Sequence, residues 1–226
     1  LFLYCKKKKI KFISTPFDTV SVKFLKNKIN LFKVSSTDLG NLPLLNQIGR
    51  LKKKVLLSTG MSNLSEITKS IYELVKAGTN KKNITVLHCT SSYPSNFSEL
   101  NLKSIHYLRD KLRLPIGFSD HSQGIEASLA AVALGATVIE KHFTLKKNML
   151  GPDHSSSLDP LELKSLVVGI RKIEKSIGKY RKKITKNEIQ NKKKLKKSIV
   201  AVKKIVKGDV FNERNLTTKR PGNGIS

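Results

Sequence analysis

Apolar positions along the chain follow two alternating periods. Short apolar runs recur at intervals of roughly 20–30 residues, each ending in small polar or charged residues, and a stretch with helical apolar spacing follows each one. The runs predict strands at 10–14, 31–34, 55–58, 84–89, 115–119 and 138–142. Between them, Asn63 and Glu66 are spaced as a capping box ahead of Ile67, Ile71, Leu74 and Val75, and Gly78 closes that helix. Residues 125–134 read as a buried, alanine-rich helix stopped by Gly135. Asp159-Pro160-Leu161-Glu162 predicts a helix start with a cap, a proline in the first turn and an acid three residues on. Leu163, Leu166, Val167, Ile170 and Ile173 continue that helix to Gly178.

Strand–helix alternation implies a parallel sheet, either doubly wound or closed into a barrel. Polar clusters at the C-terminal end of nearly every strand favour an α/β fold of the TIM (β/α)8 type, incomplete here with about six βα units. Neither a GxGxxG nor a Walker A pattern occurs to support a nucleotide fold. Past Gly178 the pattern changes. Residues 180–197 read as a lysine-rich connection, 198–202 as a strand and 207–209 as a turn. The expected organisation is a partial barrel at 1–179, a linker at 180–197 and the start of a second small domain at 198–226.

Composition adjusts this picture only in part. The formal net charge of +28 suggests a polyanion partner. Yet 37 of the 44 basic residues are lysine and 7 arginine, whereas readers of phosphates and base edges lean on arginine forks. Aromatic residues do not interleave the basic runs as stacking platforms. The lysines therefore read as solvated helix faces, and no nucleic-acid partner is expected. The rival is a basic polymer-binding module, which predicts salt-sensitive binding that survives His121→Ala. Two cysteines make no disulfide framework, and no apolar run has membrane-spanning length, so a cytoplasmic setting without a membrane partner is expected. The start at Leu1 reads as an internal fragment of a longer protein.

The chemistry concentrates at two strand ends, Ser119-Asp120-His121 and Glu140-Lys141-His142. Residues two apart in a strand share a face. If both strands line a barrel, His121 and His142 project towards one point with Ser119 and Glu140 beneath them. Two imidazoles on adjacent strands can hold one divalent metal with open coordination positions, and their donor type suits manganese, zinc or iron alike.

Seven short motifs then occur in order: Ser14-Thr15-Pro16-Phe17-Asp18, Leu57-Ser58-Thr59-Gly60-Met61, His88-Cys89-Thr90-Ser91-Ser92-Tyr93-Pro94, Gly117-Phe118-Ser119-Asp120-His121, Glu140-Lys141-His142-Phe143-Thr144, Gly151-Pro152-Asp153-His154 and Lys219-Arg220-Pro221-Gly222-Asn223-Gly224. Together they resemble the sialic acid synthase (N-acetylneuraminate synthase) family over essentially the whole chain. The resemblance implies a TIM barrel followed by a small antifreeze-like (SAF) domain, in a domain-swapped homodimer. It implies condensation of phosphoenolpyruvate with an open-chain N-acetylated amino sugar, N-acetylmannosamine or a relative, to a nine-carbon sialic acid and phosphate. Legionaminic or pseudaminic acid synthesis is the alternative within the same chemistry.

By resemblance, His121 and His142 hold a divalent metal, manganese or magnesium, that polarises the sugar aldehyde, and Glu140 supports an imidazole or the sugar. Lys33, Thr15, Ser36 and Ser119 bind phosphoenolpyruvate, and Ser91 stands where some members place an asparagine for the same ligand. A lysine aimed into a barrel is costly unless an anion meets it, which agrees with that role. Tyr93 and Asp153 are expected at the sugar, and Arg220 is expected to reach a partner barrel and recognise the N-acyl group. The resemblance also implies two earlier βα units carrying a glutamate, a lysine and a glutamine. The chain by itself is accordingly expected to show no synthase activity, and a degenerate remnant is a further reading.

Overall fold

The computed structural model describes residues 1–220 and 225. The chain divides into two compact units, Leu1–Gly178 and Lys179–Ser226.

In the first unit five strands form one parallel sheet: β1 (Leu31–Val34), β2 (Lys54–Ser58), β3 (Ile84–Cys89), β4 (Ile116–Asp120) and β5 (Ile139–Lys141), ordered as in the sequence. The register runs Lys33–Leu56 and Leu57–Val86, then His88–Phe118 and Ser119–Glu140. Helices α1 (Phe2–Lys7) and α2 (Thr19–Leu25) precede β1. Helices α3 (Leu42–Arg50), α4 (Leu64–Ala77), α5 (Ser104–Leu112) and α6 (Glu126–Ala133) make the crossovers, and α7 (Pro160–Ile177) follows β5.

Each strand alternates between two environments. Phe32, Val34, Val55, Leu57, Ile84, Val86, Ile116 and Phe118 face outward and are buried against Leu44, Leu45, Ile48, Ile71, Leu74, Ile105, Leu108 and Ala131 of the helices. This outer layer is the core. The opposite face carries Lys33, Ser58, Cys89, Ser119 and Glu140, which line a cavity. Neighbouring strands lie about 4.8 Å apart, so a flat sheet would hold β1 and β5 roughly 19 Å apart. The Lys33 ammonium on β1 nonetheless lies 3.2 Å from a Glu140 carboxylate oxygen on β5. The sheet is therefore curled into a half-barrel, the arrangement of an incomplete TIM-like barrel.

Both predicted capping boxes are present. Asn63 accepts from the Glu66 amide while Glu66 accepts from the Asn63 amide, and Asp159 and Glu162 make the same exchange. The predicted strand at 10–14 is not formed. Phe2–Lys7 is helical instead, and the following segment touches the sheet only through a single Ser14–Phe32 bridge. Ile10 and Ile13 are exposed there, and only Phe12 packs against the core, so little burial rewards extension of a run crowded with lysines. The sheet accordingly has five strands rather than six.

The second unit contains α8 (Lys186–Leu195) and an antiparallel pair, β6 (Ser198–Ala201) and β7 (Leu216–Lys219). The helix lies in the stretch read as a connection. Its sequence has only Ile189 and Leu195 as apolar positions, both exposed, so no stripe marks it. The signal present is a third capping box, Thr185 with Glu188. A turn at Lys207-Gly208 follows β6, where Gly208 takes a positive φ of 101°. Residues 221–224 of the last sequence motif lie outside the described residues. Among the described residues no helix is long and apolar enough to cross a membrane.

Candidate active site

The C-terminal strand ends of the half-barrel surround a cavity of about 630 Å³. Small-ligand sites commonly span about 300–1,000 Å³. Thr15, Lys33, Ser36, Ser91, Tyr93, Ser119, His121, Glu140 and His142 all border it. Lys33, Ser119 and Glu140 stand on inner strand faces, His121 and His142 just past the strand ends, Ser36, Ser91 and Tyr93 in the segments that follow β1 and β3, and Thr15 in the segment before α2. Asp153 is not in the cavity wall. It sits on the loop after β5 with a carboxylate oxygen 3.9 Å from Nδ1 of His142. That loop is closed at its base, where the Thr144 amide donates to the Leu158 carbonyl and the Leu158 amide to the His142 carbonyl. Arg220 belongs to the second unit, exposed just past β7.

One side of the cavity is an ammonium among hydroxyls. Lys33 is 8% exposed, and its charge is met by Glu140 at 3.2 Å. Glu140 also accepts a hydrogen bond of 2.6 Å from the Ser119 hydroxyl. Its carboxylate is thereby tied to the lysine and serine rather than to an imidazole. The Ser36 hydroxyl accepts from the Gly60 amide at 2.9 Å. Ser58 is 2% exposed, lines the cavity, and its hydroxyl is buried without a partner. A buried polar group left unpaired is costly, which sets Ser58 apart from the hydrogen-bonded hydroxyls around the cavity. Gly60 is needed beside it, since a Cβ there would collide with the Ser91 hydroxyl and lie 3.0 Å from that of Ser36.

The other side is a cluster of rings. His121 and His142 have ring centroids 5.4 Å apart, and Tyr93 packs against both, at 4.2 and 5.7 Å. Nδ1 of His121 lies 2.8 Å from the Thr90 carbonyl. A carbonyl only accepts, so that nitrogen carries a proton, and the other ring nitrogen, Nε2, lies 3.5 Å from the Ser119 hydroxyl of the cavity wall. His121 and His142 bring two nitrogen donors together, with Asp153 3.9 Å from the second, and two such donors leave most coordination positions of a divalent cation open. Among the described residues no group of three or more His, Cys, Asp or Glu is placed to hold a metal ion.

The titrating groups are coupled. Burial pushes the His121 pKa down, but the Cys89 thiol, the Thr90 carbonyl and Glu140 outweigh it, and the net shift is upward. Burial pushes the Cys89 thiol up, but His121 with the Ser36 and Ser119 hydroxyls brings it below its ordinary value. Tyr93 is raised by burial, then by negative charge at Cys89, Asp153 and Glu140. Sequence pattern alone assigns no role to Ser58, Gly60, Cys89, Asp120 or Lys141. Ser58 had one signal, a polar residue closing an apolar run like those at Ser119 and Ser36.

Comparison with known proteins places this geometry among relatives. Residues 1–182 match the model of the NeuB family. N,N'-diacetyllegionaminic acid synthase of Campylobacter jejuni is 54% identical over the whole chain, which covers 68% of that protein. Human N-acetylneuraminate-9-phosphate synthase is 38% identical over 96% of the chain and 60% of its own length. The crystal structure of N-acetylneuraminic acid (sialic acid) synthetase from Leptospira borgpetersenii superposes with a TM-score of 0.78 at 36% identity, over 84% of this chain and 67% of that one. The chain thus spans about two thirds of the length of such relatives.

Proposed function

The chain belongs to the NeuB family, and on that premise we propose that its half-barrel binds phosphoenolpyruvate beside an open-chain, N-acylated amino sugar, for condensation to a sialic-acid-type sugar with release of phosphate. The observation that carries this reading is the buried Lys33 ammonium held 3.2 Å from Glu140 inside a ring of hydroxyls. A buried charge needs a counter-charge, and donors already desolvated hold a small anion strongly. Lys33 with the hydroxyls of Thr15, Ser36, Ser58, Ser91 and Ser119 would grip the phosphate and carboxylate. Glu140, anchored through Ser119, would orient the sugar, with Tyr93 at the cavity mouth and Asp153 accepting from sugar hydroxyls. Arg220 would serve the N-acyl group from a partner subunit's second unit. A divalent cation on His121 and His142 would supply Lewis-acid polarisation of the sugar aldehyde.

Among the possible sugars, the 54% identical relative supports the precursor of N,N'-diacetyllegionaminic acid over N-acetylmannosamine. The test is calorimetric titration of the Mn²⁺-loaded chain, first with phosphoenolpyruvate and then with each sugar. Saturable phosphoenolpyruvate binding and tighter binding of the diacetylated sugar are expected. A folded chain without phosphoenolpyruvate affinity overturns the reading, and the reverse sugar order overturns the choice of sugar. In the same titration Gly60→Ala is expected to lower phosphoenolpyruvate affinity about tenfold, because the new methyl crowds the Ser36 and Ser91 hydroxyls. Unchanged affinity in that variant would remove Gly60 from the anion cradle.

A further inference from the structure

Behind the cavity, on the opposite face of the sheet, lies a second charged cluster. Asp120 and Lys141 are the residues between the paired site residues of β4 and β5: Ser119 and His121 flank the first, Glu140 and His142 the second. Both residues border the cavity, but neighbouring strand residues face opposite ways, and the Asp120 side chain reaches back to Ser128 of α6. The Lys141 ammonium lies 3.0 Å from Asp120 Oδ2, with side chains 4% and 0% exposed. Asp120 Oδ1 accepts from the Ser122 amide at 2.9 Å and the Ser122 hydroxyl at 2.6 Å. Oδ2 accepts from the Ser128 hydroxyl of α6 at 2.5 Å, and Lys141 donates to the Ser122 carbonyl. The carboxylate is thereby saturated by the neighbouring strand, a loop and a helix.

Desolvating an ion pair is expensive, and an apolar pair of similar volume often serves stability as well or better. Stability alone therefore does not account for charges at this point in the sheet. Their place does. The Asp120 backbone pairs with that of Lys141 in the register, at the last rung before both histidines. The geometry points to the Asp120–Lys141 pair as a positioning device: it locks the last rung of β4 and β5 from behind and so fixes the separation of the His121 and His142 rings. This inference rests on the metal reading given above. Outer groups of this kind tune metal affinity about 10–100-fold.

The decisive variant is the double substitution Asp120→Asn/Lys141→Met, which removes both charges and leaves neither unpaired. Three quantities are measured on the chain: thermal unfolding, Mn²⁺ affinity by electron paramagnetic resonance, and the ¹⁵N chemical shifts of the His121 and His142 rings without metal. The expected result is a cooperatively folded variant with Mn²⁺ affinity reduced 10–100-fold and displaced ring signals. Lys141→Arg alone, which keeps the pair, is expected to retain most of the affinity. A folded double variant with wild-type affinity and ring signals overturns the inference. If the double variant does not fold, Ser128→Ala decides: it loosens Asp120 without breaking the pair, and a several-fold loss of affinity supports the inference while none overturns it. If the unaltered chain takes up no Mn²⁺, the metal reading fails by itself, and the ring signals alone judge the positioning role.

Discussion

Replacing Lys33 by methionine is expected to weaken phosphoenolpyruvate binding by about a hundredfold or more while leaving the chain folded. Methionine matches the stem of lysine and removes only the ammonium. A hydrogen bond to a charged group is worth about 1.5–3 kcal/mol, and about 1.4 kcal/mol is tenfold in affinity. A second effect adds to the first. Glu140 is held by Lys33 at 3.2 Å, so the variant leaves a carboxylate without its counter-ion facing the incoming anion. Glu140→Gln should move the other way: Lys33 loses its internal competitor, and phosphoenolpyruvate affinity rises a few-fold. Opposite signs at the two ends of one ion pair are hard to produce by general destabilisation. Calorimetry at low and at raised salt checks both, since surface lysines lose their pull on the ligand with ionic strength while the buried one keeps most of it. If Lys33→Met binds within threefold of the unaltered chain, the anion is held elsewhere.

How far this site is legible in the sequence depends on what kind of signal each residue carries. His121 and His142 are legible because strand periodicity is local: once two adjacent strands face inward, alternate residues at their ends have one place to go. Lys33 stands at a strand end too, but it is one of 37 lysines, and only burial separates it from the solvated ones. The bond between Lys33 and Glu140 joins the two edges of the sheet and depends on how tightly five strands curl, which no window of sequence encodes. Ser58 belongs to the same class. A serine closing an apolar run is ordinary, and what distinguishes it is a buried hydroxyl with no partner.

The fold shows the same division. The boxes at Asn63 and Asp159 are read correctly because cap and acid lie three residues apart. The segment at 10–14 has strand composition but no layer to cover Ile10 and Ile13, so tertiary context overrides propensity. Helix α8 fails in the opposite sense. Its cap is legible, and its lack of an apolar stripe hides it. Asp120 and Lys141 were masked by their neighbours, since in both triplets the outer residues carry the evident chemistry.

His121→Ala and His142→Ala are each expected to cut Mn²⁺ affinity by at least about a hundredfold, since even partners that only orient a ligand cost about 10–100-fold when lost. The two variants should not be equivalent in the metal-free chain. His121 is bonded to the Thr90 carbonyl and stacked on Tyr93, so its loss also frees the loop after β3. His142 is held more loosely, with Asp153 at 3.9 Å, and its removal should leave the unfolding midpoint nearly unchanged. Cys89→Ser is the control: the thiol lies 3.9 Å from the protonated nitrogen of His121, on the side away from the lone pair, so metal affinity should change little. Electron paramagnetic resonance of free Mn²⁺ during titration reads all three. Wild-type affinity in both histidine variants would mean that the rings meet for packing alone. A large loss in Cys89→Ser would mean that the sulfur, not the Nε2 lone pair, sets the geometry of the centre.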